Sequence, residues 1–244
     1  MACAVKNVRF VRYPVRIDMN TPNVQCIGFI LDGNRRWAKE RGLPKLEGHR
    51  RGFEKLKDVV RAVRERNIPH VAAFMFSTEN WGREKEEVSY LMDLFREMAK
   101  NDLRELGKEG VRIRFVGQLA RLDADLQQLV SEVEEETKNN TRITLWACIS
   151  YGGRAEIVEA VRKLADDGAE ASEENLRARM WAAEMPDPDI IIRTGGEQRL
   201  SGFLLWESAY SELFFVDPYW PDFSEEMLDS ILSEYASRER RMGK

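Results

Sequence analysis

The sequence is poor in the side chains that build metal clusters and crosslinks. It has three cysteines, Cys3, Cys26 and Cys148, and two histidines, His49 and His70. The cysteines are odd in number, far apart and without a CxxC pair. That excludes a disulfide framework and argues against a zinc site, and it points to a reducing, cytoplasmic setting. No apolar run is longer than the six residues Val71 to Phe76, against the ~20 that a spanning helix requires. The first twenty residues mix arginine with apolar residues around Pro14 and hold no continuous apolar stretch, so no signal peptide is expected. Nucleotide signatures are missing as well. There is no GxxxxGKS/T loop, which excludes a P-loop enzyme, and no GxGxxG follows the first predicted strand.

What remains is a chain equipped to fold. Of its 244 residues 43% are hydrophobic and 33% charged; a chain this long buries roughly 70–75% of its unfolded surface, which excludes a disordered protein. The net charge of −4 is unevenly spread. Residues 35–66 carry twelve Lys/Arg against five Asp/Glu, a local balance of +7. A basic block inside an acidic protein suggests an anionic ligand; a nucleic-acid binder would be basic throughout. Taken singly, most of these residues read equally well as a solvated helix face.

Periodicity predicts strands over Val24–Leu31, Val71–Phe76, Val111–Val116, Ile143–Ile149 and Asp189–Ile192. Helices are predicted between them: one through Phe53, Leu56, Val59 and Val63, stopped by Asn67-Ile68-Pro69, and one long helix from Val88 to Leu103. Others run over Leu122–Lys138 and Arg154–Ala165, with short ones capped by Ser172 and Ser224. Alternating strands and helices predict a single α/β domain, a mostly parallel sheet flanked by helices, over residues 24–244, with residues 1–23 as an N-terminal extension.

The unusual residues follow the predicted strands. They are Asp32-Gly33-Asn34-Arg35-Arg36-Trp37, Ser77-Thr78-Glu79-Asn80-Trp81-Gly82-Arg83, Ser150-Tyr151-Gly152-Gly153-Arg154 and Arg193-Thr194-Gly195-Gly196-Glu197. In an open parallel sheet these carboxyl ends share one edge, where such folds bind ligands. The glycines offer backbone N–H groups to an anion, and Arg35, Arg36, Arg83, Arg193 and Arg199 suit bidentate phosphate contacts. Asp32 beside them suits Mg²⁺, which takes one or two carboxylates plus substrate phosphates. Plainer readings stand alongside: Asp32 as a helix cap, Gly152-Gly153 as a chain turn, Trp37 and Trp81 as core.

These motifs resemble the cis-prenyltransferase family. Asp32 to Ala38 with Gly48-His49, and Phe76 to Trp81, look like its first signatures. Arg193 to Glu197, Ser201, Phe203 to Trp206 and Tyr210 to Leu213 look like its last. The order and spacing are those of bacterial undecaprenyl diphosphate synthases from about Val24 onward. The resemblance implies Mg²⁺-dependent addition of isopentenyl diphosphate, in cis, to an allylic diphosphate such as farnesyl diphosphate. Residue by residue, it implies Asp32 as metal ligand and catalytic residue. Gly33, Asn34, Arg35, Arg36 and Trp37 fall at the allylic diphosphate, with Lys45 and His49 nearby. Ser77, Thr78, Glu79, Asn80, Trp81 and Arg83 fall where the reacting groups are positioned, with Asn80 catalytic in the sense of orienting them. Arg193, Arg199, Leu200 and Ser201 fall at the isopentenyl diphosphate, and Glu212 is the second metal carboxylate. Lys45 stands where arginine is common and Gln198 where histidine is; Ser150, Ala155 and Gly202 also depart from the pattern. The resemblance further implies a cytoplasmic homodimer, loosely membrane-associated at most, whose Arg240-Arg241-Met242-Gly243 tail reaches the neighbouring site and whose lipid product passes to a membrane. Met75, two residues before Ser77 and on the same strand face, adds bulk where a product tunnel is expected, and Trp146 adds bulk on a nearby strand with either face open to it; together they predict a product shorter than undecaprenyl diphosphate.

Overall fold

Six strands form one all-parallel sheet in the computed structural model, which describes residues 24–238. The extension 1–23, with Cys3, and the basic tail from Arg240 lie outside the described residues. The strands are β1 (Cys26–Ile30), β2 (His70–Ser77), β3 (Val111–Val116), β4 (Ile143–Tyr151), β5 (Ile190–Arg193) and β6 (Glu212–Phe215), in the order β3-β4-β2-β1-β5-β6. β1 and β4 are buried along their whole length, as expected of strands covered on both faces. Ile27, Phe29, Val71 and Ala73 pack toward one face, and Cys26, Ile30 and Ala72 toward the other.

The helices are α1 (Asn34–Glu40), α2 (Lys45–Glu65), α3 (Lys85–Lys100), α4 (Asp102–Lys108), α5 (Ala124–Thr137), α6 (Gly153–Asp166), α7 (Glu173–Arg177) and α8 (Glu225–Ser237). The Ser172 and Ser224 hydroxyls accept hydrogen bonds from the Asn175 and Met227 amides, the caps expected from sequence. Among the described residues no helix is long and apolar enough to cross a membrane.

Three features depart from the sequence reading. The single long helix expected from Val88 to Leu103 is two, α3 and α4, parted at Asn101 (φ −117°, ψ −71°); the apolar positions run on across the break, so periodicity alone does not see it. The four-residue edge strand β6 is too short to give a pattern of its own. The β2–β4 register slips twice: Phe74 faces Cys148 and Phe76 faces Ile149, then Ser77 faces Tyr151. Met75 is thus an extra residue on β2 and Ser150 (φ +51°) one on β4. Both irregularities sit at the carboxyl end of the sheet, where bulges commonly re-aim side chains beside a site.

Candidate active site

From β1 the chain crosses to β2 on one side, and from β5 it crosses to β6 on the other. The connections therefore diverge between β1 and β5, and there the crevice of a doubly wound sheet opens. Asp32 follows β1 and Arg193 ends β5, and they meet: Arg193 Nη2 donates to Asp32 Oδ2 at 2.8 Å. The Asp32 carbonyl accepts from Thr194 Oγ1 at 2.7 Å and from the Trp220 amide at 3.0 Å, so its backbone is fixed too. Arg36 reaches Asp32 Oδ1 at 3.2 Å. It passes Gly195, where an added Cβ would lie 2.6 Å from Arg36 Nη2. The turn before α1 requires glycine as well: Gly33 has φ +104°, and a Cβ there would lie 2.5 Å from the Tyr219 ring. Gly33 is the N-cap and no side chain caps α1, so Asp32 is not a helix cap.

Arg193 is buried and donates from Nη1 to Ser201 Oγ at 2.7 Å and to the Arg199 carbonyl, while its Nε has no acceptor. Arg199 is exposed and held by Glu197. This pair of arginines with Ser201 forms one cationic end of the cleft. The other end was not legible in the sequence, because its organiser is an acid: Glu87, at the start of α3 and with its side chain only 2% exposed. Its carboxylate lies 3.1 Å from Arg83 Nη1, 3.2 Å from Lys45 Nζ, 3.2 Å from His49 Nε2 and 3.9 Å from Arg35 Nε. The signal available was a glutamate one helical turn before Leu91, on the stripe that α3 buries. Burial pushes the His49 imidazole below its ordinary pKa, an effect the Glu87 hydrogen bond opposes only in part.

Ser77 and Asn80 cap the short 3₁₀ turn Thr78–Gly82 reciprocally, the Ser77 hydroxyl accepting from the Asn80 amide and Asn80 Oδ1 from the Ser77 amide at 3.0 Å. Asn80 lines the cleft together with Thr78 and Glu79, with its Oδ1 committed to Ser77. Other expected site residues are placed elsewhere. Trp37 Nε1 donates to Asp222 at 2.7 Å under a stacked Arg41. Trp81 packs on Phe76 and donates to Ser150 Oγ at 2.9 Å. Leu200 packs against the apolar residues on the face of Cys26, Ile30 and Ala72. Glu212 pairs with Ile190, at the amino end of β5, about 10 Å of strand away from the Arg193 end. There it binds Arg238 and is not brought to Asp32.

Three of the glycine amides are engaged within the fold: Gly153 donates to the Gly202 carbonyl at 2.8 Å, and Gly195 and Gly196 donate to Pro218 and Val216 at 2.8 and 2.9 Å. Those three N–H groups are not offered to an anion, while Gly152 and Gly153 line the cleft at the start of α6.

The cleft has a volume of about 800 Å³, and Phe53, Phe74, Met75 and Leu91 give it an apolar side. Phe53, Phe95, Phe76 and Trp81 form an edge-to-face chain behind that side, with centroids 5.2, 6.0 and 5.0 Å apart. Met75 faces the cleft as expected. Trp146 does not: it packs on the other sheet face, with Arg114 over its ring and His70 at its Nε1.

Fold and cleft define the class: an α/β protein with arginines gathered where its strand connections diverge and an apolar side to the cleft alongside. The family model described as "Putative undecaprenyl diphosphate synthase" matches residues 30–243. Isoprenyl transferase 2 of Bradyrhizobium diazoefficiens is 47% identical over 224 residues, covering 89% of each chain. An isoprenyl transferase of Thermotoga maritima is 46% identical over 224 residues, 90% of this chain and 96% of its own. Among solved structures, a lavandulyl diphosphate synthase from Lavandula x intermedia in complex with dimethylallyl diphosphate aligns with TM-score 0.87, at 31% identity over 91% of this chain and 99% of that one. A probable undecaprenyl diphosphate synthase from Campylobacter jejuni aligns with TM-score 0.78, also at 31% identity and the same coverage. The chain belongs to the undecaprenyl diphosphate synthase family of cis-prenyltransferases, and it is a transferase.

Proposed function

We propose that this enzyme condenses isopentenyl diphosphate, in cis and with Mg²⁺, onto an allylic diphosphate such as farnesyl diphosphate. The observation that carries the reading is Asp32, clamped by Arg193 and Arg36 at the mouth of a cleft with one apolar side. Such a cleft suits a molecule with a diphosphate head and a hydrocarbon tail. Among the described residues no cluster of three or more His, Cys, Asp or Glu could hold a metal alone. A lone carboxylate amid arginines fits Mg²⁺ taken up with substrate, Asp32 supplying one ligand and diphosphate oxygens and water the rest. When bound, the ion would help neutralise the departing diphosphate.

The chain's own residues do the positioning. Arg36 and Arg35 hold the allylic diphosphate, and Arg193, Arg199 and Ser201 the isopentenyl one, so that charge developing on the leaving group meets preset guanidinium donors. Asn80 orients rather than abstracts, since an amide is no base and its carbonyl is already committed to Ser77. The test is incorporation of labelled isopentenyl diphosphate by the purified protein, with and without Mg²⁺. Chain growth only with Mg²⁺ is expected; phosphate release without growth would make the protein a phosphohydrolase, and no turnover a silent partner subunit.

The reading includes a homodimer. β6 is an edge strand that carries the exposed Leu213 and follows the exposed Tyr210, and a metal role for Glu212 requires a second copy, given its distance from Asp32 within one chain. Light scattering should give twice the 28.3 kDa of one chain, and a fully active monomer would refute it.

A further inference from the structure

Four basic side chains from three separate segments converge on one acid. Arg35 comes from α1, Lys45 and His49 from α2, and Arg83 from the turn before α3. Glu87 offers Oε1 to Arg35, His49 and Arg83 and Oε2 to Lys45. Lys45 is shared between Glu87 and the more exposed Glu84, which it also contacts. Three permanent cations within 4 Å of one point repel one another, and more strongly where water is scarce. Without a buried counter-charge, the stable arrangement of Arg35, Lys45 and Arg83 is splayed into solvent. Burial alone would push the Glu87 carboxyl up, yet the hydrogen bonds from Lys45 and His49 and the charges of Arg35 and Arg83 hold it below the ordinary range. It stays ionised. His49 and Arg83 line the cleft, while Arg35, Lys45 and Glu87 itself do not.

We propose that Glu87 is a positioning residue for diphosphate recognition: it gathers Arg35, Lys45 and Arg83 into a preformed cationic wall, with His49 hydrogen-bonded beside them, and acts through these side chains without touching the ligand. This rests on the diphosphate reading of the cleft but assigns a role to a residue that the reading does not use. It makes a directional claim. Removing a negative charge beside a site for an anion should, by simple charge counting, tighten anion binding. If Glu87 instead preorganises its donors, removing the charge weakens binding, because the wall must then be assembled at the ligand's expense.

The experiment is calorimetric titration of the full-length protein with inorganic pyrophosphate, comparing wild type, Glu87→Gln and Glu87→Asp, with thermal melts alongside. Glu87→Gln keeps the shape and loses the charge; Glu87→Asp keeps the charge with a shorter reach. The expected result is a Kd raised about tenfold or more in Glu87→Gln, the scale typical of losing a group that orients ligating side chains, and partial rescue in Glu87→Asp. KM for the allylic diphosphate should rise in parallel, with kcat changed less. Tighter or unchanged pyrophosphate binding by a folded Glu87→Gln protein overturns the proposal. So does loss of folding in both variants, which would make Glu87 a folding residue. Failure of the wild type to bind pyrophosphate would instead bring down the diphosphate reading itself, and this proposal with it.

Discussion

Asp32 accepts a hydrogen bond from Arg193 and forms an ion pair with Arg36, and that sets what its replacement does. Asp32→Ala should lower kcat by about 10³-fold or more, through loss of a ligand and of ordered donors around the leaving group. It also leaves the buried Arg193 without its carboxylate, so some loss of stability is expected. Asp32→Asn separates the two effects, because it keeps an acceptor for Arg193 while losing the charge: near-wild-type melting with turnover still abolished is expected. Near-wild-type activity of either variant at saturating Mg²⁺ would remove Asp32 from the reaction. At this scale the sequence was informative where a residue's chemistry is also its role, as for Asp32, Arg193 and Ser201, which meet as their motifs suggest. It misled where partners decide. The N–H groups of Gly153, Gly195 and Gly196 are engaged by carbonyls far along the chain, and Glu87 acts through contacts with residues up to 52 positions before it. No local pattern reveals either.

At the scale of elements, β1 and β4 were legible because burial on both faces makes them near-continuous apolar runs, and the edge strand β3, with the predicted bounds, because its burial alternates. The break between α3 and α4 and the short β6 were not, since tertiary contacts and not local pattern set them. The consequential irregularity is the bulge at Met75. It puts that side chain on the cleft beside Leu91 while Phe76 turns into the aromatic chain with Phe95 and Trp81. Bulk from Met75, with phenylalanines behind it, leaves little depth for a growing hydrocarbon, and further packing there costs ~1–3 kcal/mol. The product should therefore be shorter than undecaprenyl diphosphate, and Met75→Ala should shift it to greater length at a stability cost of about 1–2 kcal/mol for this half-buried site. Chromatography of the dephosphorylated products decides: an unchanged distribution, or wild-type product already at undecaprenyl length, would refute it.

At the scale of the molecule, the sheet face opposite α2 and α3 holds a buried acid pair that the proposed chemistry leaves unused. Glu156 accepts from the Tyr151 hydroxyl and from the Ala182 amide at 2.9 Å. Glu207, on the segment that follows Ser201, accepts from Arg177 Nη1 at 2.7 Å and keeps Oε2 without a partner. Arg177 also faces Asp187 at 3.3 Å, so one guanidinium serves two carboxylates. Burial, with the Glu156 charge nearby, pushes the Glu207 carboxyl up from 4.5 to about 7. A carboxyl whose pKa is raised on folding keeps its proton longer in the native state. Its contribution is fully favourable below pH 4.5, declines as pH rises, and is lost by about pH 7, a swing of about 3 kcal/mol. Denaturant titrations at pH 5 and pH 8 should show this fall in the wild type and a smaller one in Glu207→Gln; equal falls would assign the effect elsewhere. The all-parallel sheet and its cleft were legible at this scale, whereas this acid pair was not, because Glu156 and Glu207 lie 51 residues apart and only the fold joins them.

The most direct measurement is the geometry of the new double bonds. The purified enzyme is incubated with farnesyl diphosphate, Mg²⁺ and ¹³C-labelled isopentenyl diphosphate, and the extracted product is read by NMR. The expected spectrum shows a chain longer than the primer in which every added unit is cis. Trans units, or primer returned without growth, would contradict the proposed reaction.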